Sequence, residues 1–205
     1  PLTELPDERV QYTLGMYGEG DFFTMKGVIE EFLDKLGITG RKLYRPNSGK
    51  TFLHPGRQAN IIYNGEVMGY LGEIHPQVAD NYGIGDKTYV AVLDMPVVVK
   101  YADFDRKFTG IARFPAVTRD LSMVVPHEIL AGDIEDMIVQ RGGKILESYQ
   151  LFDVYEGSQI KAGYKSMAYS VVFRAKDKTL EESEINTAMK KILNGLSSMG
   201  IELRQ

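Results

Sequence analysis

Asp153 and Tyr155 stand two residues apart in the stretch YQLFDVYEG, at the period of a β-strand, so both side chains are expected to leave the same side of the chain. A phenol ring offers a flat surface on which a nucleobase can stack. A neighbouring carboxylate can accept from the N–H donors on the Watson–Crick edge of guanine. In FPAVTRDLSMVV the same alternation sets Asp120 and Ser122 against Leu121, Met123 and Val125. A third run, SMAYSVVFRA, sets Ser166, Ala168, Ser170 and Arg174 against Met167, Tyr169, Val171 and Phe173. In YQLFDVYEG alternation groups Leu151 with Asp153 and Tyr155, and Phe152 with Val154. If the apolar sets of the outer runs face a core, small polar residues surround one tyrosine on an open face. Two readings of that face stand side by side: a landing surface for a flat ring, or the solvated side that any two-layer sandwich shows to water.

Other reactive residue types occur singly. Gly15, Gly18 and Gly20 lack the strand–glycine–helix order of a dinucleotide fingerprint and read as a turn. His54 and His75 each precede proline with no third donor at metal-ligand spacing, so both read as hydrogen-bonded structural histidines. Arg57, beside Gly56, suits either a carboxylate or phosphate clamp or a turn-stabilising ion pair. His127-Glu128 lacks the second histidine of a helical zinc motif and reads as surface loop. Asp120, Asp153 and His127 are capable of acid–base chemistry, but no histidine–nucleophile constellation accompanies them. No catalytic, cofactor-binding or metal-ligating residue is expected.

Composition narrows the classes. The 205 residues are long for one small domain and comfortable for two. Without cysteine there is neither a disulfide framework nor a thiolate metal site. The net charge is −4, with 12 Lys+Arg against 15 Asp+Glu in residues 1–108 and 12 against 13 in 109–205. No basic tail or positive domain announces nucleic acid, so any RNA contact has to be local and based on stacking or shape. No apolar run approaches ~18 residues and no basic-then-apolar leader opens the chain, which points to the cytoplasm.

The elements that must position these residues follow from periodicity. Val10, Tyr12 and Leu14 alternate as a strand. Val28, Ile29, Phe32, Leu33 and Leu36 recur at helical spacing over 24–36, with Gly37 as a left-handed stop. Ala59, Ile61 and Tyr63 lead into an Asn64-Gly65 hairpin turn, and Val67, Gly69 and Leu71 climb back. Residues 87–99 are expected to add another strand or two. Residues 101–113 read as a connector between a first domain, 1–100, and a second, 114–205. The second domain offers a strand at 118–125, a helix at 131–141, strands at 144–157 and 166–175, and a helix opened by Thr179-x-x-Glu182. A closing strand at 201–204 completes it. The order β-α-β-β-α-β is the ferredoxin-like plan, with both helices on one side of a four-stranded antiparallel sheet.

Several motifs carry a resemblance. GIARFPAVTRDLSMVV, YQLFDVYEG, KAGYKSMAYSVVFRAKDKTL and the terminal LR closely resemble the ferredoxin-fold anticodon-binding domain that ends the beta subunit of bacterial phenylalanyl-tRNA synthetases. DFFTMKG, FLHPGRQANI and GYLGEIHPQVADNYGI resemble the last part of that subunit's synthetase-like domain. The match runs from about residue 20 to the end, with the motifs in the family's order. The expected fold class is therefore α+β: part of a class II synthetase-like antiparallel sheet with helices, followed by the ferredoxin-like sandwich.

The resemblance implies a non-catalytic piece of an ATP-dependent aminoacyl-tRNA synthetase, unable to aminoacylate or edit alone. ATP and Mg2+ belong to the complete enzyme, whose alpha subunit carries the aminoacylation site. Its partners would be the tRNA(Phe) anticodon loop and the alpha subunit, in an alpha2beta2 heterotetramer. The family's anticodon-reading positions fall on Asp153 and Tyr155, with Ser122 on the adjacent strand where the family commonly has alanine. The editing domain, the small tRNA-binding domain and an acidic metal cluster would lie upstream, making this chain a fragment of a longer subunit. A class II site needs arginines on ATP phosphates, and Arg9, Arg41, Arg45 and Arg57 sit in no recognisable motif of that kind. The rival outside the synthetases is an amino-acid-sensing module, since β-α-β-β-α-β domains also bind amino acids at helix-side interfaces between paired copies.

Overall fold

In a computed structural model of the chain, the structure describes residues 8–105, 108 and 110–204. The chain divides into two compact units, Pro1–Phe108 and Thr109–Gln205, each with its own apolar core.

The first unit is a five-stranded antiparallel sheet in the order β1-β5-β4-β3-β2. Its elements are β1 (Gln11–Tyr17), α1 (Phe22–Lys35), β2 (Lys42–Pro46), β3 (Leu53–Tyr63), β4 (Glu66–Ile74), α2 (Pro76–Asn81), β5 (Thr88–Asp94) and α3 (Met95–Tyr101). Asp21 caps α1: its Oδ1 accepts from the Thr24 amide at 2.8 Å while Thr24 Oγ1 accepts from the Asp21 amide at 3.3 Å. Met25, Ile29 and Leu33 carry the buried face of that helix. Asn64 and Gly65 both have positive φ, as a two-residue hairpin turn requires.

Two expectations for this unit are corrected. The pairing passes from Ile61–Gly69 to Ile62–Val67, so Met68 is an extra residue on β4. That bulge buries Met68 completely and leaves Val67 exposed, breaking the Val67–Gly69–Leu71 alternation. Residues after 94 form a helix instead of a further strand. Pro96 lies in its first turn, where the missing N–H loses no hydrogen bond, and Val97 and Val98 bury against the sheet. Burial outweighs the strand preference of the valine run.

The second unit comprises β6 (Val117–Pro126), α4 (Ala131–Gly142), β7 (Leu146–Tyr155), β8 (Tyr164–Phe173), α5 (Glu182–Ser198) and β9 (Glu202–Leu203), with a short 3-10 turn at Gly143–Ile145. The sheet order is β7-β8-β6-β9 and every pair is antiparallel. This is the ferredoxin-like plan. Leu121, Met123, Val125, Met167, Tyr169, Val171 and Phe173 meet Ile134, Ile138, Ile185, Ile192 and Leu196 in a single core, so both helices cover one side. Among the described residues of this unit, no helix lies on the other side. α5 begins three residues after Thr179, because buried Leu180 holds the chain into the core and Glu181 is still extended. The Glu184 carboxylate, not Glu182, accepts from the backbone at the helix entry, at 3.2 Å from the Glu181 amide.

Candidate nucleic-acid interface

β7 contains the irregularity that governs this face. Leu151 pairs with Tyr169 but Asp153 pairs with Ala168, so Phe152 is an extra residue without a partner on β8. Directly opposed residues of antiparallel strands share a face. Leu151 therefore joins Tyr169 in the core, while Asp153 and Tyr155 lie with Ala168 and Ser166 on the helix-free side. Strict alternation would have kept Leu151 with Asp153 and Tyr155, as the sequence suggested. The bulge separates them. Val154, opposite Met167, falls on the helix side, and Phe152 is left 56% exposed at the sheet edge.

Pairing with β6 completes two rows across the open side. One runs Asp153–Ala168–Ser122, the other Tyr155–Ser166–Val124. Tyr155 keeps 38% of its surface exposed, and Ala168 and Ser166 form a buried floor of small residues between the outer strands. Asp153 is exposed and has no hydrogen-bond or ion-pair partner among the described residues. Ser122, Asp153 and Tyr155 thus share one side of the sheet. Arg174, placed there by alternation, lies beyond the end of β8. Its guanidinium donates to the Phe114 carbonyl at 2.7 Å and to Glu147 at 2.9 Å.

A cation that does lie on this side is Arg204. Its amide donates to the Ser122 carbonyl at 2.9 Å, continuing β9 past its last paired residue. Its Nη1 reaches across β6 to 3.4 Å from Ser166 Oγ. In the sequence this arginine stands only as part of the terminal LR motif. The signal that could have found it is the register: with Leu203 opposite Met123, residue 204 falls beside Ser122.

Comparison with known proteins bears on what such a face contacts. A family model described as the ferredoxin-fold anticodon binding domain matches residues 112–204. One described as the phenylalanyl tRNA synthetase beta chain CLM domain matches residues 1–95. The chain belongs to the phenylalanyl-tRNA synthetase beta chain family. It is similar to the phenylalanine–tRNA ligase beta subunit of Clostridium tetani, with 45% identity over 201 residues, covering 98% of this chain and 25% of that protein. The corresponding subunit of Clostridium acetobutylicum is 40% identical over 202 residues, again 98% of this chain and 25% of the relative. That of Bacillus subtilis is 37% identical over 176 residues, 86% of this chain and 22% of the relative. The chain spans about a quarter of the length of the curated relatives it matches.

In the first unit two arginines are engaged by carboxylates. Arg57 Nη1 donates to both oxygens of Glu73 at 2.9 Å, and Glu73 Oε2 also accepts from Tyr89 Oη at 2.8 Å. The ion-pair reading of Arg57 is the one the geometry supports. Burial alone would raise the Glu73 carboxyl, but the bonds from Tyr89 and Arg57 and the Arg57 charge outweigh it and hold the group below its ordinary range. Arg9 pairs with Asp94 at 3.0 Å. With Arg9 and Arg57 held by carboxylates, neither is free to clamp a phosphate. His54 Nδ1 accepts from the Gly56 amide at 3.1 Å, and His75 Nδ1 caps α2 from the Gln77 amide at 3.2 Å. His127 sits in the turn after β6, with Nε2 3.8 Å from Glu156. Among the described residues no three His, Asp or Glu side chains group as a metal site, and no helix is long and apolar enough to cross a membrane.

Proposed function

We propose that the helix-free face of the second unit receives the anticodon loop of tRNA(Phe). The first anticodon base, a guanosine, stacks on Tyr155, its Watson–Crick edge donates to Asp153, and Ser122 borders the same position on β6. The chain then acts as a non-catalytic part of the beta subunit of a phenylalanine–tRNA ligase. It assembles with an alpha subunit, which carries the aminoacylation site, in an alpha2beta2 enzyme that uses ATP and Mg2+.

The observation that supports this most is the β7 bulge, which presents the exposed Tyr155 ring and the unengaged Asp153 carboxylate on the same side of a floor of small residues, with Asp120 of β6 also exposed on that side. Stacking on an exposed aromatic contributes ~1–3 kcal/mol per base, enough for recognition by a domain with no net positive charge. Arg204 adds one local cation beside Ser122.

The test is Tyr155→Ala in the complete enzyme. The KM for tRNA should rise by about 5- to 150-fold, while phenylalanine activation by ATP, measured by pyrophosphate exchange, stays as in the parent. An equal fall in activation, or an unchanged tRNA affinity, would remove the assignment.

A further inference from the structure

Tyr155 is the last residue of β7, and an exposed ring at a strand end is free to take several rotamers unless something selects one. One neighbour leaves room for the rotamer it takes. The phenol end lies directly over the Cα of Gly157, so that a Cβ built on Gly157 would stand 2.1 Å from Tyr155 Oη and 2.3 Å from Cζ. Those separations are far inside van der Waals contact. The ring occupies the space that a side chain at 157 would need.

Both ends of this arrangement are held. Tyr155 is fixed in register opposite Ser166 on the middle strand. Gly157 opens a turn in which the Ile160 amide donates back to the Gly157 carbonyl at 2.9 Å. The glycine is not there for its backbone freedom, since Gly157 is absent from the positive-φ positions while Gly163, at the end of the same loop, has φ 83°. What remains as its distinguishing property is the missing side chain.

We infer that Gly157 is a positioning residue for the RNA-reading face: its bare Cα is the seat that fixes the Tyr155 ring in the orientation on which a base stacks. This rests on the anticodon reading proposed above and adds a residue to it. An alanine at 157 fits the backbone and needs only the far end of one exposed side chain to move, so folding is untouched and the ring is displaced.

The experiment measures binding of a fluorescently labelled tRNA(Phe) anticodon stem-loop to the 205-residue chain, with the thermal midpoint of each variant recorded alongside. Gly157→Ala should weaken binding about fivefold or more without lowering the midpoint. Tyr155→Ala should weaken it at least as much, and the double variant should bind no worse than Tyr155→Ala alone, because a seat without an occupant does nothing. If Tyr155→Ala weakens binding and Gly157→Ala does not, or if the two losses multiply in the double variant, the seat is overturned and the stacking reading stands. If Tyr155→Ala binds as the parent does, the stacking reading and the seat fall together.

Discussion

At the scale of single residues, a carboxylate beside a stacking ring separates bases by their donors. Guanine presents two N–H groups on its Watson–Crick edge where adenine presents one donor and one acceptor. An ionised carboxylate only accepts, so it suits the first and repels the second. Asp153 is exposed and unengaged among the described residues, which leaves both of its oxygens for a ligand. Asp153→Asn keeps the size but turns one acceptor into a donor. It should narrow the preference for stem-loops beginning the anticodon with guanosine over those beginning with adenosine, by about fivefold or more, since a well-aligned pair of bonds discriminates by ~1–3 kcal/mol. Competition binding of the two stem-loops to parent and variant measures the ratio; an unchanged ratio removes Asp153 from base reading.

At the scale of elements, pairing partners outweigh local pattern. The strands and helices of the second unit were legible because their apolar sets repeat at clean periods: Leu121, Met123 and Val125 on β6, Ile185, Ala188, Ile192 and Leu196 on α5. The site itself was legible only in part. Asp153 and Tyr155 could be found as a pair two residues apart, but alternation also carried Leu151 to their side, and only the register with β8 reveals Phe152 as the extra residue. Bulges leave no periodic trace in one strand, since they are a mismatch between two. The same holds for Met68 on β4 and for Arg204, whose place depends on where β9 meets β6. Tertiary burial likewise turned Val97 and Val98 into helix.

Pairing also concentrates one titration. Glu73 on β4 faces Tyr89 on β5 and Arg57 on β3, and its carboxyl is held below its ordinary value of 4.5. The folded chain therefore binds this proton less readily than the unfolded chain. The resulting stability is complete above about pH 4.5 and is lost as pH falls through the lowered folded value. Glu73→Gln should destabilise the first unit at neutral pH by about 1–3 kcal/mol, and its thermal midpoint should fall less steeply than the parent's on acidification. Parallel slopes for parent and variant between pH 6 and 3 would show that Glu73 is not the group responsible.

At the scale of the whole molecule, the proposed confinement of RNA recognition to the second unit can be tested because the two cores share no residue. Met25, Ile29, Leu33, Leu71 and Leu93 belong to one; Met123, Ile138, Tyr169, Phe173 and Ile192 belong to the other. The face carrying Asp153 and Tyr155 is the helix-free side of the second sheet, so its geometry depends on the second core through β8, where Tyr169 lies between Ala168 and Ser170. Damage to one core should thus reach RNA binding and damage to the other should not. Leu33 and Ile192 are both fully buried, and truncating either to alanine costs about 2–5 kcal/mol. Leu33→Ala should lower the midpoint of one calorimetric transition and leave stem-loop affinity at 25 °C within about twofold of the parent. Ile192→Ala should lower the other transition and weaken stem-loop binding as temperature approaches its new midpoint, since only the folded second unit presents the ring. The two variants read together give the decisive result: if Leu33→Ala weakens RNA binding as much as Ile192→Ala does, recognition is not confined to the helix-free face of the second sheet.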